Sequence, residues 1–120
     1  MYIDGYVLAV PEANKQDYIE LARKTADVFI EHGALEVVEN WAAEVPDGEV
    51  TSFIKAVQCA DDEAVVFSWT LWPSREARDK GIEACMAHPL FSDEHWSPPF
   101  DGKRMIFGSF EQILCARAAS

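Results

Sequence analysis

The chain has 120 residues, of which 49% are hydrophobic and 26% charged, a composition that excludes intrinsic disorder and suits one folded domain. No apolar run approaches the roughly 18 residues that a membrane-spanning helix requires. Ten Lys and Arg against 21 Asp and Glu give a net charge of −11, which argues against nucleic acid and anionic membranes as partners because basic surfaces bind both.

The N-terminal part of the sequence predicts a strand followed by a helix. Residues 2–10 are rich in β-forming side chains that alternate between two faces, and Pro11 ends the run. Apolar residues then recur at helical spacing up to Phe29, which predicts a long amphipathic helix. We expect Asn14 to be its N-cap and Gly33 to be its left-handed terminator.

The middle of the chain predicts two further strands and an insert between them. Residues 35–43 alternate as a second strand, and Pro46 begins a turn. Residues 51–59 combine helical spacing with β-branched side chains, so a short helix or a turn is expected there. Residues 63–72 carry the strongest strand pattern of the sequence.

The C-terminal part predicts a helix, a long connection and a last strand. Ser74 caps a helix that runs from Arg75 to about His88. Residues 89–103 form an irregular stretch that contains three large aromatic side chains and three prolines. Residues 104–114 are expected to form the last strand, and residues 115–120 a frayed tail.

The predicted order is β-α-β-insert-β-α-β within a single domain, residues 1–120. Two split β-α-β units give an α+β fold of the ferredoxin-like βαββαβ type, with both helices on one face of an antiparallel four-stranded sheet. Either set of alternating side chains could form the other face, and both sets contain large apolar residues. The apolar area of that face would therefore exceed what a monomer normally exposes. We therefore expect a homodimer in which two sheets close an α+β barrel. The alternative is that residues 89–103 fold over this face.

Four ordered motifs resemble a known bacterial family. They are His32-Gly33-Ala34-Leu35, Val45-Pro46-Asp47-Gly48, the segment from Val66 to Ser74, and the segment from Pro99 to Ile106. The sequence resembles the YbaA-like proteins, a family with a domain of unknown function, over about residues 2–114. The resemblance implies a dimeric α+β barrel, related in fold to small monooxygenases and stress-responsive barrel proteins, and implies no established reaction. Asn40 and Ala42-Ala43 around Trp41, and Ser109 after Gly108, depart from the family pattern.

A set of polar and aromatic side chains on the predicted sheet is the candidate site, because small-molecule pockets combine apolar walls with a few placed polar groups. Asp4 or Glu39 is a candidate base or hydrogen-bond acceptor, and Arg104 a candidate anion clamp. We expect Trp96, in the irregular stretch, to cover the mouth of the barrel or to contact the partner subunit. The predicted ligand-binding residues are Asp4, Tyr6, Glu39, Trp41, Trp72, Trp96 and Arg104.

Neither a metal nor a cofactor is predicted. His32 and His88 fall at predicted helix C-termini, where an imidazolium interacts favourably with the helix dipole. The three cysteines lie far apart in sequence, without a CxxC pair, and are interpreted as small core side chains. Free thiols and an N-terminus without a basic, apolar leader lead us to expect a cytoplasmic protein.

The sequence supports three functional hypotheses. The first is a small-ligand-binding homodimer, with an aromatic compound as the ligand and no demonstrable reaction. The alternative is a cofactor-independent monooxygenase-like or isomerase-like enzyme acting on an aromatic small molecule, which rests on fold analogy. The third hypothesis is a purely structural homodimer. An open pocket inside the barrel favours the first two hypotheses, and a solid core favours the third.

Overall fold

The computed structural model describes residues 1–119 of the chain, which form four β-strands, three α-helices and three short 3-10 turns. The strands and helices are β1 (Tyr2–Pro11), α1 (Lys15–Glu31), β2 (Glu36–Trp41), α2 (Phe53–Ala56), β3 (Glu63–Trp72), α3 (Arg75–Met86) and β4 (Ile106–Glu111). The 3-10 turns are Glu12–Asn14, Pro89–Phe91 and Gly102–Arg104. Within the described part of the chain, no helix is both long enough and apolar enough to cross a bilayer.

The four strands form one antiparallel sheet in the order β2-β3-β1-β4. The two long strands, β1 and β3, pair along their whole length from Tyr2 opposite Trp72 to Pro11 opposite Glu63. Shorter β4 and β2 extend the sheet on either side. The predicted α+β fold with an antiparallel four-stranded sheet is confirmed.

The ends of α1 show one prediction that is right and one that is wrong. Gly33 has φ of +110°, the left-handed conformation expected of a helix terminator. Asn14 occupies the N-cap position, but its side chain makes no cap hydrogen bond. Its amide instead donates to the carbonyl of Pro99, at 3.1 Å, and so ties the start of α1 to the 89–103 stretch.

Serine caps begin the two later helices, and the cap at Ser74 is the one that the sequence predicts. Ser74 Oγ accepts a hydrogen bond from the backbone N–H of Ala77 at 3.1 Å, at the start of α3. Ser52 Oγ accepts one from the N–H of Lys55 at 2.9 Å, which makes the uncertain 51–59 segment a short helix. Gly81 of α3 is buried against the ring of Trp72, so this helix approaches the sheet closely.

The last strand begins two residues later than predicted. Arg104 belongs to the 3-10 turn Gly102–Arg104, because the side chain of Asp101 caps that turn through the N–H of Lys103 at 3.0 Å. Residues 115–119 have no regular secondary structure. Residue 120, the end of the predicted frayed tail, lies outside the described residues.

The two faces of the sheet have different surroundings. Helices α1 and α3 cover one face, where Phe29 lies 6.1 Å from Trp72 between ring centroids. The 89–103 stretch lies on this same side, since Phe91 contacts Phe29 and Phe100 contacts Tyr18. The alternative in which this stretch covers the other face is therefore wrong.

The opposite face of the sheet, here called the open face, is covered only at one end. There Val57, after α2, packs against Ala9 and Val65. Farther along, Phe67 and Phe110 remain 44% and 60% exposed. The open face consists of Ile3, Val7, Phe67, Trp69, Leu71, Ile106 and Phe110.

Candidate functional site

A cavity of about 510 Å³ lies between the sheet and helices α1 and α3. Residues between Phe91 and Phe107 line its remaining side, and the cavity stays open to solvent. Its walls are mostly apolar and include seven aromatic side chains: Tyr6, Tyr18, Phe29, Phe91, Trp96, Phe100 and Phe107. A volume in this range, with apolar walls and a few polar groups, is typical of small-molecule sites.

The floor of the cavity consists of side chains from three neighbouring strands. Tyr6 of β1 pairs with Ser68 of β3, and Ser68 pairs in turn with Glu39 of β2. One row farther along, Asp4 pairs with Thr70. The central strand thus contributes two short side chains, and the space above them remains open because α1 and α3 rest on the larger residues around them.

The carboxylate of Asp4 is completely buried and fully hydrogen-bonded. Trp72 Nε1 donates to it at 3.2 Å, and Ser109 Oγ at 2.7 Å. Arg78 Nε of α3 lies 3.0 and 3.2 Å from its two oxygens. Among the described residues, no buried side-chain nitrogen or oxygen lacks a partner. Asp4 therefore serves as an anchor between β1, β3, β4 and α3, and its oxygens are not free to act as a base.

Arg78, like Tyr18, is a cavity residue that the sequence prediction missed. Its remaining nitrogens are also engaged, Nη1 by Asp79 and Nη2 by Ser109, both at 3.0 Å. The hydrogen bonds to Asp4 raise the pKa of Arg78 above its ordinary value. In the sequence, nothing local distinguishes Arg78 from the other charged residues of its amphipathic helix. The only hint is Asp4, because an acidic residue within an apolar strand needs a cationic or hydrogen-bonding partner.

Glu39 and Tyr18 form the second polar pair of the cavity. Tyr18 Oη donates to Glu39 Oε1 at 2.5 Å. Glu39 is exposed to the open space of both hollows, although the protein atoms of their walls limit the water around its carboxylate. This withdrawal from bulk water raises the pKa of Glu39, and the hydrogen bond from Tyr18 partly opposes the effect. Burial, together with the neighbouring carboxylate, raises the pKa of Tyr18.

Tyr6 presents a phenol that stays protonated. Burial raises the pKa of Tyr6 well above its ordinary value, and the nearby charge of Asp4 adds to the effect. The ring lies 5.3 Å from that of Phe107 between centroids, in the neighbouring strand. Its hydroxyl is therefore a hydrogen-bond donor for anything bound in the cavity.

A second hollow, here called the outer groove, has a volume of about 420 Å³ and runs between α1 and β2. Tyr18, Val37 and Glu39 border both the outer groove and the cavity. Trp41 lines the outer groove, where the Nζ of Lys15 lies 5.1 Å from the centre of its ring. The predicted site residue Trp41 thus belongs to the neighbouring hollow.

Four of the seven predicted ligand-binding residues border the cavity: Asp4, Tyr6, Glu39 and Trp96. Trp96 is 37% exposed and stacks on Phe91 with ring centroids 5.3 Å apart. Trp72 is fully buried beneath the floor, where it supports Asp4 and lies out of reach of a ligand.

Arg104 does not join the cavity, which corrects the prediction of an anion clamp. Its guanidinium makes a bidentate pair with Glu63, with both nitrogen-oxygen distances 2.7 Å. It also donates to Asp101 at 3.0 Å and to the carbonyl of Gln58 at 2.9 Å. These bonds hold Arg104 at the start of β3, away from the cavity.

A family described as "Protein of unknown function (DUF1428)" matches residues 1–102. The chain belongs to this DUF1428 family. The "Uncharacterized protein YbaA" of Escherichia coli (strain K12) is 50% identical over 113 residues, which cover 94% of this chain and 97% of the relative. YbaA of Shigella flexneri matches to the same extent. The family resemblance drawn from the four motifs is confirmed.

The DUF1428 match includes Glu39, Arg78 and Trp96, and it ends before β4 begins. Ser109, one of the departures from the family pattern, therefore lies beyond it. In this chain the Ser109 hydroxyl bonds to both Asp4 and Arg78, so the departure adds a hydrogen bond to the buried pair.

The histidines and cysteines take separate positions. No three His, Cys, Asp or Glu side chains in residues 1–119 converge as a metal site. His88 Nδ1 accepts a hydrogen bond from the N–H of Leu90, at the start of a 3-10 turn, which differs from the predicted dipole contact at the end of α3. Only Cys85 is a buried core side chain, whereas Cys59 is half-buried and Cys115 is exposed.

Proposed function

We propose that this protein is a homodimer that binds a small, neutral aromatic compound in the cavity above Ser68 and Thr70. The observation that carries the proposal is the cavity itself, an aromatic-walled space of about 510 Å³ where a purely structural subunit would have a solid core. Aromatic rings offer a ligand edge-to-face and stacking contacts, which add to the hydrophobic gain.

The charges around the cavity favour a neutral ligand over an anion. Within residues 1–119, Arg78 is the only cationic side chain on the cavity wall, and all of its nitrogens have acceptors in the protein. Glu39 would repel a carboxylate whenever it is ionised. A ligand hydroxyl could instead donate to Glu39 or accept from Tyr6, because both side chains border the open space.

The open face supports the dimer. The strand order β2-β3-β1-β4, with α1 and α3 on one side, is the arrangement that a ferredoxin-like subunit needs to present a bare sheet to a partner. Two such sheets packed face to face would form the dimeric α+β barrel and cover Phe67 and Phe110. Free cysteines, among them the exposed Cys115, support a reducing, cytoplasmic location.

The ligand proposal is tested by thermal unfolding with two probes of the same ring system, 2-naphthol and 2-naphthoate. We expect 2-naphthol to raise the melting temperature in a saturable way and 2-naphthoate to leave it unchanged at pH 7. Ile82 lines the cavity, and Ile82→Phe should weaken the effect of 2-naphthol by filling that space. Ile30→Phe is the matched control, because Ile30 is exposed on α1 and does not line the cavity.

Two outcomes would contradict the proposal. Equal stabilisation by 2-naphthol and 2-naphthoate would show that the charges of the wall do not select the ligand. An effect of 2-naphthol that survives Ile82→Phe would place binding elsewhere on the protein. If neither probe nor related phenols bind, the structural homodimer becomes the better hypothesis.

A further inference from the structure

Glu39 and Tyr6 face the same space from opposite sides. They occupy one row of the sheet, with the short side chain of Ser68 between them. Since neighbouring strands lie about 4.8 Å apart, their backbones are separated by roughly 10 Å. A bicyclic aromatic molecule resting on Ser68 would therefore have a carboxylate at one edge and a phenol at the other.

The carboxylate of Glu39 is fixed in place but only partly used. Tyr18 Oη donates to Oε1 at 2.5 Å, which orients the group. Among residues 1–119, no protein donor hydrogen-bonds to Oε2, and the side chain is exposed to the cavity and the outer groove. A positioned carboxylate oxygen of this kind, in an aromatic enclosure, is available to a bound molecule.

The neighbouring charges leave Glu39 without an ion-pair partner. From α1, Lys15 is held over the ring of Trp41, while Arg23 and Asp27 line the outer groove. From α3, Arg78 is bound to Asp4. Burial raises the pKa of Glu39, which moves this carboxylate toward the range where a general base is most effective near neutral pH.

We propose that Glu39 is the base of a cofactor-independent proton transfer on a neutral aromatic ketone, with Tyr6 as the hydrogen-bond donor to the carbonyl oxygen. The inference rests on the proposed binding of neutral aromatic compounds in the same cavity. Tyr18 acts through Glu39 and is a positioning residue.

The proposed step needs no oxidant or reductant. A Glu39 oxygen takes a proton from the carbon next to the carbonyl, so that a C–H bond breaks and an O–H bond forms. The electron pair of the C–H bond becomes part of a carbon–carbon double bond, and the carbonyl π electrons move to the oxygen that Tyr6 hydrogen-bonds. The proton on Glu39 then exchanges with solvent, and delivery of a solvent-derived proton, a deuteron in D₂O, to the same carbon gives exchange. Delivery to a conjugated carbon gives double-bond isomerisation. Either route regenerates the ionised Glu39.

The experiment follows hydrogen-deuterium exchange into 2-tetralone, a neutral bicyclic aromatic ketone, in D₂O by proton NMR. We expect exchange beside the carbonyl to rise in proportion to protein concentration. Glu39→Gln should lower the protein-dependent rate at least tenfold, within the range typical of general acid–base catalysis. Tyr6→Phe should also lower it while retaining 2-tetralone binding, measured by saturation-transfer NMR.

Glu36→Gln is the matched control, since Glu36 lies on the same strand but accepts a hydrogen bond from Trp69 at 3.3 Å on the other face of the sheet. It should leave the exchange rate unchanged. Circular dichroism establishes that each variant is folded. If Glu39→Gln does not fold, Glu39→Asp replaces it. The same loss of exchange is expected, because the shorter Asp side chain draws the carboxylate back from the cavity.

Binding of 2-tetralone with exchange at the buffer rate, or with equal exchange in folded Glu39 and Tyr6 variants, would overturn this inference and leave the binding proposal intact. Absence of saturation transfer from 2-tetralone would contradict the binding proposal for this class of ligand, and the inference with it.

Discussion

Arg78 Nε, on α3, lies 3.0 and 3.2 Å from the two carboxylate oxygens of Asp4, on β1. Asp4 is completely buried, and the side chain of Arg78 is 20% exposed. This pair spans the space between helix and sheet at one end of the cavity. A buried ion pair costs desolvation, but removal of one partner leaves the other charge buried without compensation, which is strongly destabilising.

Arg78→Met should therefore lower the free energy of unfolding by about 3 kcal/mol, since Asp4 would keep only its bonds from Trp72 and Ser109. Urea denaturation at a fixed protein concentration measures the loss. Arg75→Met is the control, because Arg75 is exposed on the same helix and should change stability by less than about 0.5 kcal/mol. Equal losses in the two variants would show that the buried pair has no special role.

Gly81 should not tolerate alanine, although alanine is the better helix former by about 1 kcal/mol. A Cβ at this position would lie 2.7 Å from the carbonyl oxygen of His32 and 2.7 Å from a ring carbon of the buried Trp72. We expect overpacking to outweigh helix propensity and to give a net loss of about 1–2 kcal/mol. Gly102→Ala is the matched control, since nothing lies within 4 Å of its Cβ position. A stabilised Gly81→Ala protein would refute the close approach of α3 to Trp72.

The ion pair of Glu63 and Arg104 should make the stability of the protein depend on pH in the acidic range. The bidentate hydrogen bond from Arg104 is the main reason that the pKa of Glu63 falls from 4.5 to about 2. Because the folded-state pKa is the lower one, ionised Glu63 stabilises the fold above pH 4.5, and this contribution disappears as the pH falls from 4.5 toward 2. Glu63→Gln should flatten the dependence of melting temperature on pH in that window, whereas Glu44→Gln, at an exposed position, should not. Parallel curves for Glu63→Gln and the unmodified protein would contradict the assignment.

Local patterns in the sequence predict most of the secondary structure. The alternation of residues 63–72 coincides with β3, and the apolar spacing that ends before Gly33 coincides with α1. In each case the pattern and its terminator lie within one element, so neighbouring residues decide the structure. The capping role of Asn14 failed because a distant carbonyl, that of Pro99, binds its amide instead.

The site is less predictable because its pairs are far apart in sequence. Asp4 and Arg78 are separated by 74 positions. Helix α3 carries several Lys and Arg side chains, and the sequence does not show which of them pairs with Asp4. The sequence prediction placed Arg104 on the last strand as an anion clamp, but the nearby Asp101 and the distant Glu63 bind it. The sequence indicates Asp4, Tyr6 and Glu39 as polar groups among aromatic side chains on the predicted strands. It does not indicate which face of the sheet the helices cover, because both alternations carry large apolar side chains.

The open face should hold two copies of the chain together. Gly5 and Gly108 pair between β1 and β4, and the Phe110 ring lies over them, 3.6 Å from the Cβ position of Gly5 and 3.0 Å from that of Gly108. A partner sheet packed on this face would bury Phe67 and Phe110. We expect an interface of more than about 1,200 Å² in total, the lower limit for stable association.

Sedimentation equilibrium at micromolar concentration measures the association, and the unmodified protein should have the mass of two chains. Phe110→Glu places a charge on the open face, where burial against a second sheet would desolvate it, so this variant should sediment as a monomer. Ile30→Glu is the control: Ile30 is 47% exposed on α1, on the other side of the sheet, and its replacement should leave the dimer intact. A monomer for the unmodified protein at these concentrations would contradict the dimeric barrel, and a Phe110→Glu dimer as tight as the original would move the interface away from the open face.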